Sequence, residues 1–185
     1  MSAADPADNP ADIIAATKDW LEKAVIGLNL CPFAKTVHVN DQIRYVVSDA
    51  DTPEALLADL LRELQELAEA DPAAIETTLL IHPGVLTDFL DYNDFLGVAE
   101  AAVADLDLEG VLQVASFHPQ YQFAGTDPDD IENYTNRSPY PMLHLLREES
   151  VERAVAAFPD AAEIYEKNIA TLRLLGHKGW RRIFR

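Results

Sequence analysis

Apolar residues recur with two different periods along the chain, and the switches between them mark out the elements. From Asp12 to Leu28 the positions Ile13, Ile14, Thr17, Trp20, Leu21, Ala24, Val25 and Leu28 follow helical spacing. Gly27 and Asn29 end that helix, just before Cys31-Pro32. Ile43–Val47 is a short β-rich run and predicts a strand. Thr52-Pro53-Glu54 is a helix start, with threonine as cap and proline at the first turn. Behind it Leu56, Leu57, Leu60, Leu61, Leu64 and Leu67 form one apolar stripe. Thr77–Ile81 is a continuous apolar, partly β-branched run of the kind found in buried strands, and it ends in His82-Pro83-Gly84. A helical pattern over Thr87–Leu106 follows. Then comes a second buried-type strand, Val111–Phe117, ending in His118-Pro119.

The order strand, helix, strand, helix, strand predicts an α/β fold: a small three-stranded, mostly parallel sheet with crossover helices. Two helices, Met142–Ala157 and Ala161–Leu175, parted by Phe158-Pro159, are expected to close the chain. The alternative is a ferredoxin-like α+β arrangement with antiparallel pairs. Residues 1–10 read as a disordered acidic tail, 11–176 as a single α/β domain and 177–185 as a basic C-terminal tail. From Gln120 to Pro141 no period dominates. So long a connection in a compact domain usually carries function.

Length and composition narrow the class. At 185 residues, 49% hydrophobic and 25% charged, the chain can bury a core without a disulfide or a metal. Cys31 is the only cysteine, so no intrachain disulfide forms and no oxidising compartment is implied. The first ten residues lack the basic and apolar regions of a signal peptide. No apolar run approaches the ~20 residues that span a bilayer. These features predict a cytoplasmic protein with no membrane partner; they fix no oligomeric state. The net charge is −18. Asp41–Glu109 holds seventeen acidic residues against Arg44 and Arg62, which disfavours nucleic acid as a partner. The sign reverses at the end, where Arg173, Lys178, Arg181, Arg182 and Arg185 lie close together as a solvated helix end.

Three features carry candidate chemistry. His82 and His118 both follow predicted strands, and ligands of parallel sheets sit beyond the strands' carboxyl ends. If the strands are neighbours about 4.8 Å apart, both imidazoles reach one small site. The competing reading is that each histidine caps a strand end and proline stops the ladder. The second feature is Asp127–Pro141, DPDDIENYTNRSPYP. There Arg137, shortly before a predicted helix N-terminus, suits an anion, with Asn133, Asn136, Ser138 and nearby Tyr121 as ligand-binding candidates. The competing reading is an ordered loop whose polar side chains satisfy their own backbone. The third is Cys31, either a buried small hydrophobe or a nucleophile served by His118 or His144. A divalent metal held by His82, His118 and His144 is the compositional extreme of these readings, though no metal-motif spacing supports it.

WLEKAVIGLNLCPFA, LLIHPGVLTDF, LQVASFHPQYQFAGT and NYTNRSPYPMLHLLRE together resemble a bacterial family known as domain of unknown function fourteen-fifteen, over about Ile13–Leu175. The resemblance implies a bacterial-type cytoplasmic protein whose signature residues include Cys31, His82, His118, Asn133, Asn136, Arg137, Ser138 and His144. It implies no particular activity or cofactor. The leading expectation is therefore an enzyme acting on a small anionic metabolite. Arg137 would hold the anion, His118 with His82 or His144 would transfer protons, and Cys31 would serve as nucleophile if within reach. The alternative is a non-catalytic metabolite- or protein-binding or regulatory protein.

Overall fold

The computed structural model describes residues 9–157 and 163–185. Helix α1 (Pro10–Trp20) runs into a π-helical turn, Leu21–Ile26. Then come α2 (Ala34–Val39), β1 (Ile43–Val47), α3 (Pro53–Glu69), β2 (Thr77–Ile81), α4 (Phe89–Asp105) and β3 (Leu112–Phe117). A 3₁₀ turn, Ile131–Thr135, precedes β4 (Met142–Arg147), α5 (Glu148–Ala157) and α6 (Ile164–Ile183). The expected Phe158-Pro159 break lies outside the described residues.

The sheet has four strands in the order β1-β2-β4-β3. β1 and β2 are parallel, and β4 runs antiparallel between β2 and β3. This corrects the three-stranded expectation. Met142–Arg147 carries leucine, methionine and arginine, all good helix formers, and reads as a helix start. In the sheet's centre it is covered on both faces, so the period-two signal is absent and burial decides the conformation. The element order βαβαββ also differs from the βαββαβ of a ferredoxin-like unit.

Two apolar clusters flank the sheet. On one face α3 and α4 pack Leu56, Leu60, Leu64, Leu67, Tyr92 and Phe95 against Leu80, Leu143 and Leu145. On the other, α1, the π turn and α6 pack Ile13, Trp20, Leu21, Val25, Leu172 and Trp180 against Leu79, Ile81 and Met142. The cap of α3 is the expected one: Thr52 Oγ1 accepts the Ala55 N–H at 3.2 Å. The basic end, expected as a tail from residue 177, instead continues α6 and buries Trp180. No helix among the described residues is long and apolar enough to cross a membrane.

Candidate functional site

Strand alternation sorts the three candidate histidines onto two faces. His82 and His118 follow β2 and β3 on the α4 side, where both rings meet Tyr92 at 5.8 and 5.0 Å. β4 lies between their strands, so the condition of neighbouring strands is not met. Both are fully buried. His82 Nδ1 donates to Val85 O at 3.0 Å. His118 Nδ1 accepts the Gln120 N–H at 3.0 Å, which leaves its Nε2–H to donate to Leu86 O at 3.2 Å. The two imidazoles thus hold successive carbonyls of one turn, at a point where Leu86 takes an unfavourable positive φ of 54°. Burial pushes the His82 pKa down to about 4. Burial also lowers that of His118, opposed by its bond to Leu86. Two neutral rings clamping a strained turn do structural work. His82 Nε2 is the one ring nitrogen of the pair with no hydrogen-bond partner.

Tyr92 completes this cluster. Its hydroxyl donates to Met142 O at 2.8 Å and accepts the Phe117 N–H at 3.1 Å, joining the start of β4 to the end of β3. Sequence reading passed over it. A tyrosine in the first turn of a helix, on its apolar side, looks like any core residue.

His144 is on the opposite face, opposite Ala115 in the β3–β4 ladder. Thr77 Oγ1 donates to Leu145 O at 2.6 Å, so its 2.8 Å bond to His144 uses the Nε2–H of the imidazole as donor. The neutral tautomer is therefore fixed, with the lone pair on Nδ1. Burial pushes this pKa too down to about 4. His144 lies across the sheet from His82 and His118, so the trio proposed as metal ligands does not converge. Among the described residues no group of three or more histidine, cysteine, aspartate or glutamate side chains is placed to hold a metal ion.

What His144 does share is a cavity with Cys31. About 370 Å³ of space opens between this face of the sheet and the N-terminal segment. Trp20, Leu21, Val25, Phe33, Val37, Leu79 and Phe117 give it a mainly apolar wall, with Ala115 and the polar side chains of Thr77, His144, Glu76, Gln113, Arg147 and Ser150 also lining it. The local chain explains how Cys31 gets there. The π turn shifts the helix end, and a β-carbon at Gly27 would run into the Lys23 carbonyl oxygen, so the close approach requires glycine. Asn29 reverses the chain with φ 53°, and the Asn168 side chain pins Leu30 O at 2.9 Å. Cys31 is half-buried and free.

The polar loop is mostly self-satisfied. Asn133 Oδ1 accepts from Phe123 N and Thr126 Oγ1, while its Nδ2 donates to Asp127 O at 2.8 Å. Asn136 donates to Ser116 O and Ser138 to Tyr140 O. These three side chains hold the loop's shape. Tyr121 packs against Phe89 and Phe123 at 5.2 and 5.0 Å. Arg137 bonds two loop carbonyls, Tyr121 O at 3.1 Å and Pro128 O at 2.6 Å, and lies over the Tyr134 ring. It also lines a second cavity of about 280 Å³ with Pro119, Tyr134, His177, Trp180 and Arg181. The two cavities have no lining residue in common.

A mixed α/β protein with an apolar cavity on one sheet face and a basic one at the loop is the class this geometry defines. Over residues 12–182 the chain matches the family described as Protein of unknown function (DUF1415), and it belongs to that family. No curated protein and no solved structure matches the chain.

Proposed function

We propose that the protein binds a small, largely apolar molecule in the cavity on the N-terminal face of the sheet. There the ligand meets the Cys31 thiol and the neutral His144 imidazole. The cavity carries the reading. Its volume of about 370 Å³ falls in the range of ligand pockets. Its walls are aromatic and aliphatic, with a few fixed polar groups, the usual makeup of a small-molecule site. Water finds few partners there, so an apolar ligand displaces it at little cost. A neutral imidazole at physiological pH suits a lining that is mainly apolar, with Glu76 and Arg147 its two charged members, and the lone cysteine fits a reducing, cytoplasmic setting.

Proton transfer by His118 with His82, one form of the leading expectation from sequence, finds less support. Both rings are buried and committed to the carboxyl-edge turn. If the protein is catalytic, the geometry favours Cys31 and His144, which share a cavity, over the histidine pair.

Titration with a neutral, environment-sensitive naphthylamine dye tests the reading. Saturable fluorescence enhancement is expected for the wild type. It should be lost in Ala115→Phe, which fills the cavity from β3, with thermal unfolding confirming that the variant is folded. Equal enhancement by both proteins would count against the cavity as the site.

A further inference from the structure

We propose that the second cavity, between the polar loop and the end of α6, is a binding site for a phosphate-type dianion, free or carried on a small molecule. The chain is strongly acidic, at −18, yet six of its fourteen basic residues fall between Lys167 and Arg185. Of these, Arg173 is held by Glu132 at 2.9 Å and Lys167 by Glu163 at 3.2 Å. Arg181 has no carboxylate partner among the described residues, and neither does Arg137 of the loop. Both line the cavity, together with His177, and no carboxylate side chain does. The nearest acid in sequence, Glu132, is already engaged by Arg173.

Arg137 is built to present charge. Its two hydrogen bonds go to backbone carbonyls, which orient the guanidinium without neutralising it. Three of its five N–H donors remain. Its plane rests 4.5 Å over the Tyr134 ring. The same ring meets His177 at 5.5 Å and Trp180 at 5.0 Å, edge-on in both cases, so one tyrosine braces both sides of the cavity. Trp180 is itself buried. His177 and Arg181 stand four residues apart on one helical face. The run that carries them is set off from the rest of α6 by Gly176, whose φ of 60° and ψ of 171° suit essentially glycine alone.

Two guanidinium forks around one small space repel one another until an anion enters, and the imidazole of His177 stands beside them. Paired forks match a tetrahedral oxyanion, which offers more acceptor oxygens than a carboxylate. At about 280 Å³ the cavity lies at the small end of ligand pockets, suited to phosphate with a modest substituent.

The test uses the full chain, inorganic phosphate and pyrophosphate as probes, and calorimetric titration at constant ionic strength. Saturable binding is expected, weakened at least tenfold in Arg181→Gln, the loss of about 1.4 kcal/mol. Arg182→Gln, on the same helix but outside the cavity, should bind within about twofold of wild type. No saturable binding of either probe would overturn the proposal. So would an Arg181→Gln variant that binds like the wild type. Equal losses in the two variants would also overturn it, because they would show a diffuse positive field in place of a site.

Discussion

Single residues on the α4 side act by holding backbone. Tyr92→Phe removes one hydroxyl but takes a partner from two groups, the buried Met142 O and the part-buried Phe117 N–H. Denaturant unfolding should show a loss of roughly 1–3 kcal/mol, large for the deletion of one atom. The buried histidines give the fold a pH dependence. His82 and His144 have folded pKa values of about 4 against an ordinary 6.5. The unfolded chain therefore takes up protons that the folded one refuses as pH falls from 6.5 toward 4. The stability they confer is complete above 6.5 and is lost through that window, up to roughly 3 kcal/mol for fully buried His82. His82→Gln should be less stable at neutral pH but lose less than the wild type across the window, as calorimetric scans will show. A parallel loss would place the pH dependence elsewhere. Sequence singled out these histidines as candidates. It could not tell a ring that serves a ligand from one that serves a carbonyl, because that depends on whether Val85 and Leu86 come within reach.

At the scale of elements, legibility followed the strength of local pattern. β1 and β2 were readable because β-branched residues sit in short runs between turn signals. α3 was readable because its leucines keep one stripe and Thr52-Pro53 starts it. β4 was not, since a strand buried on both faces and built from leucine and methionine carries neither alternation nor β-branching. Its centrality has a measurable consequence. Leu143→Ala, fully buried between β2 and β3, should cost about 2–5 kcal/mol in denaturant unfolding. A cost well below that would be at odds with β4 as a central strand. The short α2 was also missed, having too few residues to show a period. The last helix, expected to stop at Leu175, resumes beyond Gly176 and runs to Ile183. Gly176→Ala meets no steric obstacle, since nothing lies within 4 Å of the added carbon, but it must adopt a backbone conformation that side chains rarely take. The expected result is a variant that folds but binds phosphate less tightly than the wild type, since His177 and Arg181 are re-aimed.

For the molecule as a whole, the structure divides what the sequence grouped. Cys31, His82, His118, Arg137 and His144 were one candidate constellation in the chain. Folded, they occupy three places: a structural clamp under α4, an apolar cavity under the N-terminal helix, and a basic cavity beside α6. The division follows from β4, whose insertion parts β2 from β3 and turns His144 to the far face. Strand parity settles such a question only once the strand is known. His177 and Trp180 were missed for a related reason. A basic helix end looks like solvated surface until the loop that packs on it is known, and Tyr134 is the residue that joins them.

The claim that the larger cavity delivers apolar molecules to Cys31 can be tested on the thiol itself, since the chain has no other. Two alkylating reagents of equal intrinsic reactivity, one apolar and one strongly hydrophilic, would be compared on the native protein and on Ala115→Phe. The account predicts that the apolar reagent modifies native Cys31 faster, with saturation, and that the preference disappears when the cavity is filled. Equal rates with both reagents on the native protein would contradict it.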